Sequence, residues 1–252
     1  SQLKKIIFPA NVTTIGETNY ASGSDEGYRG SDAVAQCTNL EEVEFPTALE
    51  QIGAKAFDRC IRLKKVILPE GVEYIYNFAF MNCDALTSVS IPSTFLYSDG
   101  NGYGHTFYDC DNLTDISLTE GITELSSNMF HSCKSLTSIK LPESLTKINS
   151  AFTNCSGLIS INIPSKVTST GDFSGCSSLT TVIIPESVTS IGSFANCTNL
   201  TSITLPSTLT NIGSFSNCTS LESIELPDAI TELPNYPYAF QAVSYTHLRA
   251  HE

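Results

Sequence analysis

Nine cysteines, Cys37, Cys60, Cys83, Cys110, Cys133, Cys155, Cys176, Cys197 and Cys218, stand 23, 23, 27, 23, 22, 21, 21 and 21 residues apart. Recurrence at a period in the twenties marks a solenoid, a chain wound into coils that each touch only their neighbours. Three residues after every cysteine comes leucine, from Leu40 to Leu221. Six after comes Val or Ile, from Val43 to Ile224, and eight after comes Phe, Leu or Ile. Proline follows at nine in every copy but one, where Thr119 stands, and phenylalanine precedes by three in every copy but the first, where Val34 stands. The unit reads CxxLxx(I/V)x(L/I)Pxx(L/V)xxIxxxxFxxC. The length of 252 residues alone would suit one large domain or two ordinary ones, and the repetition overrides that count.

Each place in the unit has a physical reason. In "LTSITLP" from Leu200, Ile203 and Leu205 alternate with Thr204, the period of a strand with one face buried. Pro206 has no amide proton to give a ladder, so it ends the strand where the chain turns. The return, "STLTNIGSFSNC", points Leu209, Ile212 and Phe215 inward. One coil cannot bury its own apolar side, but stacked coils can. Parallel strands about 4.8 Å apart make ten such coils roughly 45 to 50 Å long. Charge order fits the stacking: Lys4, Glu41 and Lys64 occupy one outward place in successive copies, and Lys5, Glu42 and Lys65 the next.

Two copies are interrupted. "ETNYASGSDEGYRGSD" lengthens the first coil by about 14 residues and "LYSDGNGYGHTF" the fourth by about four, and both are expected to project as Gly-, Asp- and Tyr-rich loops. Ser1 falls inside a repeat, so the natural chain is expected to extend before it. Phe240 stands where a further coil needs its phenylalanine and Val243 where it needs its cysteine. From there "SYTHLRAHE" resembles a translated sequencing adapter, so residues 1–242 are read as one solenoid and 243–252 as a non-native tail.

The unit resembles the BspA-type leucine-rich repeat, with its CxxLxxIxLP strand and a return seen in full as "IGAKAFDRC" from Ile52. The resemblance implies a strand-dominated fold of the α/β leucine-rich-repeat class. It implies a right-handed solenoid or horseshoe of about ten repeats of 21–23 residues, with one parallel sheet and short helical or irregular returns. Later copies depart by shortening the return to "IGSFANC" and "IGSFSNC", where a tighter irregular turn is expected. The family's usual role implies a non-enzymatic module of a cell-surface or secreted protein that binds protein or host matrix. A structural spacer, or a scaffold for a catalytic domain outside this chain, is the alternative.

Function classes narrow further by composition. Acidic residues outnumber basic ones 26 to 13, a net charge of −13 with no basic stripe for a phosphate backbone, so nucleic acid is not an expected partner. No apolar run approaches the roughly 18 residues of a membrane-spanning helix. The cysteines are read as buried free thiols acting as small apolar residues, since every one is equivalent and no pairing is singled out. CxxC pairs and companion histidines are missing, so no metal and no cofactor are expected. "DGNGYG" from Asp99 fails as a calcium loop because Tyr103 replaces an oxygen ligand and Cys110 occupies the place of the closing Glu. His105 and His131 are read as exposed loop histidines, and no catalytic residue is assigned. The NxS/T sequons at Asn11, Asn112, Asn154, Asn196, Asn199 and Asn217 belong mostly to the repeat itself.

Two surfaces are the binding candidates, against the alternative of plain solvated surface. One is the outward strand face, where Thr181, Ser202 and Thr204 give way to Ser223 and Glu225, a hydroxyl-rich sheet suited to a protein or glycan. The other is the pair of inserted loops with Tyr20, Tyr28, Tyr97 and Tyr103, which supply contact area at low entropic cost. The thiol reading predicts nine titratable thiols in protein denatured without reductant, and a count of seven or fewer would overturn it.

Overall fold

In a computed structural model of the chain, residues 2–18, 33–96, 104–233 and 239–241 are described. Ten short strands run in chain order: β1 (Lys5–Ile7), β2 (Thr14–Ile15), β3 (Glu42–Glu44), β4 (Gln51–Ile52), β5 (Lys65–Ile67), β6 (Tyr74–Ile75), β7 (Ser88–Ile91), β8 (Asp115–Leu118), β9 (Thr181–Ile183) and β10 (Ser202–Thr204). Every pairing among them is parallel, and no helix occurs among the described residues. Among the described residues the returns are turns and irregular chain, which resolves the expectation of helical or irregular returns toward the second.

Parallel pairing follows two lines, where the sequence suggests one sheet. The first line is the expected strand face. Here β1 pairs β3 with Lys5 beside Glu42, β5 pairs β7 and β7 pairs β8, and β9 pairs β10 with Thr181 beside Ser202. The second joins β2, β4 and β6 through Ile15, Ile52 and Ile75, and single bridges carry it on from Glu124 through Lys147, Ser169 and Ser190 to Asn211. Its origin lies in the IxxxxFxxC part of the unit: the isoleucine points inward and its polar predecessor pairs with the coil below. The strand face itself is interrupted between β8 and β9, where Ser160 makes the one bridge, to Thr181, among the described residues.

Between the two lines lies a continuous core. The leucine three places after each cysteine is wholly buried in every copy, from Leu40 to Leu221. The phenylalanines form a single stack, from Phe57 through Phe80, Phe107, Phe130, Phe152, Phe173 and Phe194 to Phe215, with centroids 5.0–6.2 Å apart and planes within 5–19°. Phe240 extends it, 6.0 Å from Phe215, as its place in the repeat requires. Offset-stacked rings at this spacing add to the burial of their area.

In the 21-residue coils, as at Gly53 in a 23-residue one, successive returns touch where only glycine fits. A Cβ on Gly192 would lie 2.2 Å from the carbonyl oxygen of Gly171, and one on Gly213 would lie 2.4 Å from backbone atoms of Gly192. Because each coil's apolar side is buried only by its neighbours, a charge in one slice should unfold several. Leu179→Asp is expected to lose about 4 kcal/mol or more, with the cooperative transition in urea shifted or abolished. A variant with the parent's midpoint would contradict the register.

Candidate functional site

The cysteine column is the chain's most chemical feature, and its geometry is structural. All nine cysteines are free, and all but Cys37 are buried. Each buried thiol donates to the carbonyl oxygen of the residue that precedes the previous cysteine by three. Cys60 donates to Val34 at 3.3 Å, Cys83 to Phe57 at 3.3 Å, Cys155 to Phe130 at 3.1 Å and Cys218 to Phe194 at 3.1 Å. The same carbonyl already accepts the amide of its own cysteine, as Phe57 does from Cys60 at 3.2 Å. The thiol thus fills a small apolar slot while answering a second lone pair. Burial disfavours the thiolate, pushing Cys60 and Cys155 up to about 12 and Cys218 up to about 11. Among the described residues no three His, Cys, Asp or Glu side chains converge as a metal ligand set.

A feature the sequence reading passed over stands just before each cysteine. Gln36, Arg59, Asn82, Asp109, Ser132, Asn154, Gly175, Asn196 and Asn217 all have positive φ, between 55 and 78°. Left-handed backbone lets the amide at this place donate to the next coil, as Asn196 does to Ser216 at 2.8 Å and Asn217 to Gln241 at 2.8 Å. The recurring asparagine was the available signal, since asparagine tolerates this conformation best after glycine. It also explains why "NC" sequons recur.

On the strand face, two kinds of outward side chain separate. Charges at the amino-terminal end answer one another: Lys5 pairs with Glu42 at 2.9 Å and also with Glu44, and Lys64 pairs with Glu41 at 2.9 Å. The Lys64 ammonium holds the Glu41 carboxyl below its usual range, and the Glu44 and Glu42 carboxylates raise Lys5. Further along, threonine hydroxyls bond back to the previous coil, Thr180 to the Ile159 carbonyl at 3.3 Å and Thr201 to the Thr180 carbonyl at 3.1 Å. Thr181, Ser202 and Thr204 point outward, are exposed, and sit around Ile183, which is 72% exposed. The structure therefore brings three of the nominated residues together in one paired patch.

Ser223 and Glu225 are exposed in the following coil, outside any strand. Glu225 borders a hollow of about 740 Å³ together with Glu186, Leu205, Ser207, Pro227 and Asp228. Glu186 is occupied there, accepting from the Ser207 amide and hydroxyl at 3.1 and 3.0 Å. Tyr20, Tyr28, Tyr97 and Tyr103 lie outside the described residues, as do most of the Asp99 loop and the 243–252 tail.

The histidines differ from the sequence reading. His105 and His131 are half-buried in an aromatic cluster rather than exposed on loops. His105 stacks on Phe78 at 5.0 Å, and His131 on Tyr108 at 4.7 Å. The reason is the repeat: His131 and Tyr108 both stand two places before a cysteine, so stacking of the coils brings their rings together.

Comparison with known proteins agrees with this geometry. A model of the BspA type leucine rich repeat region matches in six copies over residues 29–148, 103–193 and 169–250. The chain belongs to this family. Comparison with curated proteins gives no match. A leucine-rich repeat protein from Bacteroides ovatus is 27% identical, with a TM-score of 0.63 over 90% of this chain and 67% of that one. A leucine-rich cell surface protein from Faecalibacterium prausnitzii is 23% identical over 87% of this chain and 78% of that one, with a TM-score of 0.40. The pneumococcal vaccine antigen PcpA is 15% identical over 92% and 74%, with a TM-score of 0.48. The BspA-type chain is thus a leucine-rich repeat module of the kind that mediates protein interactions. Its buried thiols are expected to resist alkylation: iodoacetamide on the native protein should label Cys37 first, and the others only on unfolding, as read by peptide mass spectrometry.

Proposed function

We propose that this chain is a non-enzymatic protein-binding module of a cell-surface or secreted protein, with the patch around β9 and β10 as its contact surface. The observation that carries the reading is the contrast within one face. Thr180 and Thr201 spend their hydroxyls on the backbone of the previous coil, whereas Thr181, Ser202 and Thr204 stand exposed around an exposed isoleucine. An apolar centre ringed by hydroxyls on a rigid paired sheet suits a protein partner, host surface or matrix protein included, and its hydroxyls also suit a glycan. Membership of the BspA-type family supports placement at the cell surface and adhesion as the role. The inserted tyrosines Tyr20, Tyr28, Tyr97 and Tyr103, with Ser223 and Glu225 beyond the patch, are proposed as its flanks.

A spacer role is favoured by a different observation at the amino-terminal end, where the outward charges are satisfied by each other and offer little to a partner. Binding to immobilised collagen, fibronectin and laminin separates the two. With the patch as the site, Ile183→Arg with Thr204→Arg weakens binding at least about tenfold without lowering the unfolding midpoint. Retained binding in that variant, lost on Tyr28→Ala with Tyr103→Ala, moves the site to the insertions. If the unmodified chain binds none of the three, the spacer reading replaces adhesion.

A further inference from the structure

The return face carries one cluster that neither the core nor the strand face explains. Phe78, His105, Tyr108 and His131 come from three successive coils, ending at Cys83, Cys110 and Cys133. Their rings form one contiguous group: Phe78 to His105 at 5.0 Å, His105 to Tyr108 at 5.3 Å, His105 to His131 at 6.2 Å and Tyr108 to His131 at 4.7 Å. Asn154 of the next coil meets His131 Nε2 at 3.2 Å, and Ser132 Oγ meets His131 Nδ1 at 2.9 Å, so four coils are tied at this point. Phe78 is out of character for its place. It has φ of 60° and is half-buried, at a position where the next coil puts His105 and others put Lys55, Asn128 and Ser150, the last three also left-handed. A bulky residue held in left-handed backbone costs roughly 1 kcal/mol or more, which only packing against its neighbours offsets.

We propose that this four-ring cluster is an acid-sensitive clasp: neutral imidazoles hold adjacent coils together on the return face, and protonation of His105 and His131 loosens them locally.

The electrostatics around the clasp are lopsided in the direction it needs. Burial disfavours the charged form of both rings and is the main influence on each. His131 is the titratable group that further opposes charging of His105, and Asp109 is the acid that partly favours charging of His131. Tyr108 contributes its ring to both contacts, 5.3 Å from His105 and 4.7 Å from His131. Both histidines are held below the ordinary 6.5. The unfolded chain therefore binds protons first as pH falls through that value, so the clasp's contribution is full above about 6.5 and is lost below it. Charging both rings also sets two cations 6.2 Å apart, centroid to centroid, in a partly desolvated site.

Amide hydrogen exchange on the whole chain tests this, because the clasp sits on bonds between coils. The amides of Asn82, Asp109 and Ser132 donate to the carbonyls of Tyr108, His131 and Thr153, whereas Asn196 makes the equivalent bond to Ser216 away from any histidine. Between about pH 7.5 and 5, after correction for intrinsic exchange, protection at the first three should fall at least about tenfold more than at Asn196. In His105→Phe with His131→Tyr, which keeps the stack and removes the titration, that selective loss should vanish. Should this double variant not fold, His131→Gln alone should shrink the selective loss. Equal loss at all four amides, or the same selective loss in the non-titrating variants, would overturn the proposal.

Discussion

Burial of each coil's apolar side by the coil beside it is the interaction on which the molecule depends. Leu179 or Phe173 is wholly buried, yet no strand or turn of its own coil could cover it. Stability is thus distributed as a sum of near-identical contacts between neighbours, and the phenylalanine stack from Phe57 to Phe240 is its most regular expression. Everything polar has to be arranged without spoiling the spacing of a few ångströms that this stack sets.

Three devices do that. Left-handed backbone at the residue before each cysteine turns an amide toward the next coil. The thiol then answers the spare lone pair of a buried carbonyl, a task that alanine could not perform and for which serine would be a costlier residue to bury. Threonines at the edge of the strand face bond back to the preceding coil. What remains outward after these uses is a small set of side chains, and that set, rather than the repeat, is where a partner is chosen.

Much of this was legible in the sequence. The inward places from Leu40 to Leu221 needed only the spacing of the cysteines, and the alternating charges of the first copies anticipated the pairs Lys5 with Glu42 and Glu41 with Lys64. The second line of pairing through Ile15, Ile52 and Ile75 was not legible, because two residues per coil are too few to show alternation. Asparagine before cysteine was visible but read as a by-product of repetition, when it marked a backbone conformation. The histidine cluster escaped for another reason: His105 follows the four-residue insertion, so its neighbours depend on how a 27-residue coil rejoins the register. Among the candidate binding residues, Thr181, Ser202 and Thr204 were found together because strand periodicity fixes which way they face.

The three 21-residue coils that end at Cys176, Cys197 and Cys218 are close to interchangeable, each offering its neighbour the same leucine, phenylalanine, glycine and thiol. A slip by one whole coil in that region would bury nearly the same surface as correct docking. Marks that forbid such a slip are concentrated earlier in the chain: the paired charges of the first coils, the 27-residue coil, and the mixed aromatic cluster beside it. Correct assembly is therefore an addressing problem, with the irregular coils carrying the address and the regular ones reading it from their neighbours.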